Sequence, residues 1–362
     1  MDFYRFVLPI LRRFDAEDAH RFAIWGLKTG LAGLFFKAAP DDPALATSVW
    51  GKAFRNPVGL AAGFDKNAEV PDEALTLGFG FVEVGGVTPK PQVGNLRPRL
   101  FRLDADRAVI NRMGFNNEGL EVVVQRLRNR RRDLGPVAVN LGKNKDTVDA
   151  ASDYAALAEA FAILADFLVL NVSSPNTPGL RSLQHTEALI GIVRAARAGR
   201  DRALIAEPPP LLLKIAPDLD STEIADIARV VMDERVDGIV ISNTTVSRPA
   251  SLLSALHTES GGLSGAPLLE PSTRILRRMY ELTGGKVPLI GVGGIGGGAD
   301  AYAKIRAGAS LVQFYSAMVF EGPGLIGRVK RELAILLKRD GFRNVSEAVG
   351  ADHRMGTQGL GR

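Results

Sequence analysis

From Pro57 onward the chain alternates short apolar runs with helical patterns, eight of each, and this alternation constrains its fold more than any other feature. The runs are Val58–Ala62, Gly80–Val84, Val137–Leu141, Phe167–Val172, Leu211–Ile215, Gly238–Ile241, Pro288–Val292 and Leu311–Tyr315. Helical periodicity follows them at Glu69–Leu77, Asn117–Arg132, Ser152–Leu164, Ser182–Ala196, Thr222–Glu234, Ser272–Thr283, Ala299–Ala307 and Leu325–Lys338. A strand covered on both faces reads as a continuous apolar run, and strands separated by helices pair in parallel. Eight such units predict an α/β fold, a (β/α)8 TIM barrel. The 362 residues suffice for one large barrel or for two ordinary domains. Thr88–Met113 is long for a loop between strand and helix. Its segments Arg99–Leu103 and Ala108–Arg112 alternate around Asp104–Arg107, which predicts a hairpin on the barrel mouth.

Nearly every apolar run ends in glycine or a polar residue. In order these ends are Gly63–Lys66, Gly85-Gly86, Asn140, Asn171–Ser174, Lys214, Ser242-Asn243-Thr244, Gly293-Gly294 and Tyr315-Ser316. Barrel active sites lie at this C-terminal face. A single polar end is unremarkable, but a complete ring predicts a large polar ligand. The densest stretch is Asn171-Val-Ser-Ser-Pro-Asn-Thr-Pro-Gly179, behind the strand Asp166–Leu170. Pro175 and Pro178 keep it out of helix, so two amides and the Ser174 hydroxyl sit on a stiff loop. Such a cluster also suits a capping turn before a helix. Lys214 stands inside an otherwise apolar strand, where a lysine is costly unless it meets a negative partner. Lys66 and Lys214 are therefore read as ligand contacts.

Ile290–Gly294 and Gly296–Ala299 form a strand end and a helix start whose backbone N–H groups, with those after Tyr315, suit a phosphate. Gly291, Gly293 and Gly296 also spell G-x-G-x-x-G. The dinucleotide reading is rejected. The match falls at the seventh strand, and no acidic residue ends the next one to take a ribose.

Apolar residues make up 46% of the chain and charged residues 23%, which is a globular balance. The absence of cysteine excludes disulfides, thiolate zinc sites and cysteine nucleophiles, and four scattered histidines argue against a histidine metal site. The +5 net charge comes without an aromatic-interleaved basic stripe, so nucleic acid is not expected as a partner. Arg126, Arg128, Arg130, Arg131 and Arg132 crowd one helix end, either as a solvated last turn or as a membrane contact. No run of 18 apolar residues spans a membrane. Residues 1–39 nevertheless carry Phe3, Tyr4, Phe6, Phe14, Phe22, Trp25, Phe35 and Phe36 among Arg5, Arg12, Arg13, Arg21, Lys28 and Lys37. That pattern fits an amphipathic helical pair at a membrane interface, or a helical hairpin docked on the barrel.

The chain resembles the dihydroorotate dehydrogenases, specifically their membrane-associated, quinone-reducing class. The matching segments are Asn56–Lys66, Asn111–Asn117, Asn140–Lys145, Asn171–Gly179, Lys214–Asp218, Ser242–Thr245, Gly261–Gly265 and Ile290–Ile295, and the likeness spans residues 1–340. The resemblance implies oxidation of dihydroorotate to orotate in pyrimidine synthesis, with FMN as cofactor and a membrane quinone as acceptor. It makes Ser174 the catalytic base, where the soluble class carries a cysteine, and Thr177 a candidate relay. Substrate contacts would be Lys66, Asn111, Arg112, Met113, Gly114, Phe115, Asn171, Asn176, Asn243 and Thr244. FMN contacts would be Ala61, Ala62, Gly63, Phe64, Asp65, Gly86, Asn140, Asn171, Lys214, Ser242, Gly265, Gly294, Tyr315 and Ser316. Many relatives carry Ser or Thr where this chain has Gly86, so only its backbone is expected to serve. His20, Arg102 and Tyr315 would meet the quinone head. His185, His257 and His353 are read as surface residues. The expected organisation is a helical membrane and quinone-tunnel extension over 1–45, an FMN-binding barrel over 46–340 and a tail over 341–362. The protein would sit peripherally on the cytoplasmic side of the cell membrane. A related FMN barrel feeding fumarate or NAD, and a non-catalytic membrane scaffold, are the rival readings.

Overall fold

A computed structural model describes residues 4–31, 33, 36 and 38–358. Phe3, Leu34, Phe35 and Lys37 lie outside the described residues. Eight parallel strands close a barrel: β1 Val58–Leu60, β2 Phe81–Val87, β3 Val137–Leu141, β4 Phe167–Asn171, β5 Leu211–Ile215, β6 Gly238–Ile241, β7 Leu289–Val292 and β8 Ala309–Phe314. Each pairs with its neighbour in sequence, and β8 pairs with β1. The eight surrounding helices run Pro71–Thr76, Leu120–Arg128, Ala150–Phe161, Thr186–Arg202, Ser221–Asp233, Leu269–Leu282, Gly298–Arg306 and Gly324–Arg339. Most boundaries differ from the sequence reading by a few residues. Asp149 and Asp220 cap their helices by accepting backbone N–H groups, which fixes the starts at Ala150 and Ser221.

Side chains alternate between the lumen and the outer face along each strand. The lumen therefore reads in layers, and it changes character over one step of two residues. Phe81, Ala138, Leu212 and Leu311 belong to a buried apolar layer. Glu83, Asn140, Lys214 and Gln313 follow two positions later, all within 5% of full burial. Gly59 makes room for this packing, because a Cβ there would lie 2.3 Å from the Phe81 ring. The lower end is plugged by a hairpin of Thr47–Val49 and Lys52–Phe54. Its Trp50 donates from Nε1 to the Asp237 carbonyl at 2.7 Å and packs on Phe167.

At the upper end the expected hairpin forms from Leu100–Leu103 and Ala108–Asn111, and Gly262–Gly265 joins it as a third antiparallel strand. Two helices cover this mouth: α1 Tyr4–Leu11 and α2 Ala16–Lys28. The Tyr4 hydroxyl donates to the Val319 carbonyl, and Arg102 donates to the carbonyls of Leu11, Arg12 and Phe14 at the turn between them. Beneath α2, buried Glu17 receives both arms of the Arg99 guanidinium at 2.7 and 2.9 Å. No helix among the described residues is long and apolar enough to cross a membrane.

Two sequence readings change. The arginine-rich end of Leu120–Arg128 falls at the opposite end of the barrel from α1 and α2, because barrel helices run antiparallel to their strands. Arg130 is not solvated there: its guanidinium is 3% exposed and binds Asp166 at 2.7 Å. The residues after Asp340 also carry structure. Val345 and Ala348 are fully buried in the core shared with the barrel helices, and His353 stacks on Tyr280 while only half-buried.

The Arg99 guanidinium bonds hold the Glu17 carboxyl down to about 2, so its contribution is present above about 4.5 and is lost as pH falls through about 2. Pepsin should therefore cut within α2 on acidification below about 4.5 before the far-ultraviolet circular dichroism of the barrel declines. An α2 that becomes cleavable only together with the barrel would refute this.

Candidate active site

The strand ends converge on one cavity of about 610 Å³. From the first strand end come Ala61, Ala62, Gly63, Phe64 and Lys66, with Gly86 beside them. The hairpin supplies Asn111, and Met113, Gly114 and Phe115 follow it. The fourth to sixth strand ends bring Asn171, Ser174, Asn176, Lys214, Ser242, Asn243 and Thr244. Gly265, Gly294, Tyr315 and Ser316 close the ring. His20 and Arg102 also line the cavity, which continues along the inner faces of α1 and α2 past Val7, Leu11, Ala23 and Leu27.

Three expected contacts are placed differently. Asp65 turns its carboxylate away to accept the N–H groups of Glu69 and Val70 at 2.8 Å, and burial pushes it up to about 6. Arg112 reaches outward to Glu259 at 2.6 Å and over the Phe101 ring. Neither side chain lines the cavity. Asn140 lies one layer deeper, where it donates to Glu83 at 2.6 Å and accepts from Asn171 at 2.8 Å.

The polar groups form one network. Asn243 donates to Asn171 Oδ1 at 3.2 Å and to Ser173 Oγ at 3.0 Å, and the Tyr154 hydroxyl donates to the Asn171 carbonyl. Asn176 donates from Nδ2 to Asn111 Oδ1 at 3.0 Å, which ties the serine loop to the hairpin. Arg181 donates to the carbonyls of Ser173 and Thr244 and pairs with Asp218, so the loops after β4, β5 and β6 are held by one side chain. Ser174 is 8% exposed, and its Oγ accepts the Asn176 N–H at 3.3 Å. Thr177 Oγ1 is buried without a hydrogen-bond partner. The capping-turn alternative for this segment fails, since none of its side chains caps the 3-10 turn at Arg181–Gln184 or the helix that begins at Thr186.

Burial is the main cause that pushes the Lys66 ammonium down to about 8, with Glu17 opposing and Arg99 reinforcing the shift. His20 is driven to about 3 by burial and then by Lys66, and so is neutral. Its Nδ1 lies 3.3 Å from the Tyr315 hydroxyl. At the phosphate corner, Gly294 has φ +78 and rests against the first residue of Leu269–Leu282, where a Cβ would come within 2.3 Å of Leu269 N. Ser316 and Ser264 share a hydrogen bond at 2.7 Å beside it. Fully buried Lys304 supports this corner by donating to Ser272 Oγ at 2.6 Å.

Sequence reasoning missed Glu83, Gln313, Tyr154, Arg181 and Lys304. For Glu83 and Gln313 a signal existed: each interrupts an apolar strand, as Lys214 does. Nothing local marked Arg181 or Tyr154, whose partners are brought close only by folding. Among the described residues no group of three or more His, Asp or Glu side chains could hold a metal ion.

A closed barrel with a phosphate-type cradle, a polar ring and a covered mouth defines an α/β-barrel enzyme acting on a polar ligand. The family model for dihydroorotate dehydrogenase matches residues 44–337. Over 98% of this chain, 59% of residues are identical to a Rhodospirillum rubrum protein named dihydroorotate dehydrogenase (quinone), of which 95% is covered. A Xanthobacter autotrophicus protein of the same name is 55% identical, covering 98% of this chain and all of its own. The crystal structure of the Eimeria tenella enzyme with ferulenol superposes with a TM-score of 0.90 at 45% identity, over 94% of this chain and 96% of that one. The chain belongs to the dihydroorotate dehydrogenase family. Members of this family work with a flavin.

The residues fit such a group, with a glycine cradle at one end and the Lys214 cation at the other. Gly294→Ala should lose bound flavin and cost about 1–3 kcal/mol of stability, since both the left-handed φ and the contact with Leu269 are violated. Gly191→Ala, in a helix with open space around it, should keep full flavin content. Visible absorbance of the purified variants and their denaturant midpoints decide this; equal flavin content in the two would refute it.

Proposed function

We propose that the ring around this cavity oxidises dihydroorotate to orotate with FMN as the cofactor and Ser174 as the base. The family carries out this oxidation in pyrimidine biosynthesis, and the curated relatives are named for a quinone acceptor. The reading is carried by the continuity of a single cavity, which holds both the polar ring and the apolar inner faces of α1 and α2.

Lys66 supplies a cation for the substrate carboxylate. Asn111, Asn171, Asn176 and Asn243 present amides that match the imide edges of the pyrimidine, and their mutual hydrogen bonds fix which end donates. Thr244 and the backbone of Met113–Phe115 complete the wall. Ser174 Oγ takes the proton from C5, which the adjacent carbonyl acidifies. A hydroxyl is a weak base, so that proton needs a relay. Thr177 Oγ1, buried, unpartnered and three residues away, is suited to accept it. The strand ends and the Gly265–Gly294–Ser316 cradle would hold FMN, which would supply the acceptor for the hydride from C6. Lys214 would stabilise negative charge on that cofactor. His20, Arg102 and Tyr315 face the quinone head.

Phe14, Phe22 and Trp25 are each at least half exposed, beside exposed Arg12, Arg13 and Arg21. Phe22 and Trp25 also line the cavity, so this exposed apolar surface, beside the cations, joins the cavity to the outside and suits a membrane surface. Residues 1–45 thus serve as the membrane and tunnel extension of a barrel over 46–340, peripheral on the cytoplasmic side of the cell membrane.

Ser174→Ala should slow flavin bleaching by dihydroorotate under anaerobic stopped flow by about 10²–10⁴-fold. Equal rates would remove Ser174 as the base, and no bleaching in the native enzyme would discard the substrate. Deleting residues 1–39 should abolish quinone reduction and leave artificial dye reduction intact. Full quinone activity would favour a soluble acceptor such as fumarate or NAD, and a colourless protein that takes up no FMN would favour a scaffold. Because Lys66 carries its charge below about 8 and loses it above, KM for dihydroorotate should rise as pH passes about 8, and Lys66→Met should flatten that dependence. A native KM profile that stays flat through pH 8 would exclude Lys66 as the carboxylate partner.

A further inference from the structure

Glu83 has no place in the chemistry above, and its surroundings call for one. It points into the barrel lumen from β2 and is wholly buried. Asn140 on β3 donates to its Oε1 at 2.6 Å, and Gln313 on β8 donates to its Oε2 at 2.8 Å. Lys214 on β5, across the lumen, brings its ammonium to 3.7 Å. That is the only ion pair of Lys214 among the described residues. Lys214 lines the cavity and Glu83 does not. The carboxylate therefore sits behind the lysine and touches neither substrate nor cofactor.

We propose that Glu83 is a positioning residue that fixes and counter-charges Lys214, and so limits the positive potential that Lys214 presents to the flavin. The inference rests on the flavin reading of the cavity. An ammonium alone in a low-dielectric floor would attract electron density on the ring strongly, and a carboxylate 3.7 Å behind it offsets most of that field. What remains at the cavity is the positive end of a dipole. The hydrogen bonds from Asn140 and Gln313 hold the carboxylate in place, so the dipole cannot reorient when the charge of the ring changes.

Sulfite, which adds reversibly to flavins that tolerate negative charge, reads this potential without turnover. Glu83→Gln keeps the shape and removes the charge. Its sulfite dissociation constant, from the loss of the visible flavin band, should fall about tenfold or more, and the flavin midpoint potential should rise. Glu83→Asp keeps the charge and should stay close to the native affinity. A purely structural role for Glu83 predicts the reverse for Gln: a loosened floor, weaker sulfite binding and a lost cofactor. Unchanged or weakened sulfite binding in a flavin-loaded Glu83→Gln overturns the proposal. If Glu83→Gln yields no flavoprotein, the double variant Glu83→Gln with Lys214→Met, which leaves neither charge of the pair in the floor, must regain the fold, read by its circular dichroism and denaturant midpoint whether or not it holds flavin. A double variant that fails to fold also overturns it. A native protein without a flavin spectrum would instead refute the flavin reading itself, which separates the two failures.

Discussion

The contact between Glu83 and Lys214 spans the barrel lumen, from β2 to β5, and the upper half of the molecule is organised around it. Burying a carboxylate or an ammonium costs several kcal/mol unless partners are supplied. Here they come from four strands at once. Phe81, Ala138, Leu212 and Leu311 fill the layer below, and the next inward residue on each of the same strands is Glu83, Asn140, Lys214 and Gln313. Apolar packing thus ends abruptly, and a polar floor begins within one step of the pleat.

From the floor upward the network is continuous. Asn140 passes its orientation to Asn171, and Asn171 to Asn243. Arg181 ties the Ser174 loop to the Thr244 carbonyl. The amides therefore stand with their donors and acceptors assigned by neighbours rather than by solvent. Rigidity of this kind is what a site needs when its reacting groups are weak, as a serine base is.

The cover of the mouth obeys the same electrostatics. Glu17 and Arg99 join α2 to the hairpin through a buried ion pair, and both influence Lys66 beneath them. His20, from the same helix, stays neutral beside Lys66 and close to Tyr315. One helix thereby touches the Lys66 side of the ring and the apolar passage leading away from it. Phe22 and Trp25 on that helix are half exposed and also line the cavity, so the apolar surface of α2 runs continuously from the cavity to the outside.

The eight strands, their parallel order and the polar ring were legible because each is a local property: an apolar run, a helical period, a residue at a strand end. Lys214 stood out for the same reason, and Glu83 and Gln313 could have. The third strand at Gly262–Gly265 was not legible as a strand, since its pairing with Ala108–Asn111 lies some 150 positions away in sequence. Arg130 read as solvated until Asp166 was placed beside it, and Val345 and Ala348 read as featureless until the core received them. Asp65 and Arg112 belong to local motifs, but backbone caps and a distant glutamate decide where their side chains point. The sequence by itself determined the barrel and which residues stand at its mouth, because pleat and helix periods are encoded within a few residues. Only the tertiary structure decided which buried charges meet, which side chains turn away and how α1 and α2 share the cavity, because those depend on contacts between segments that the chain order keeps apart.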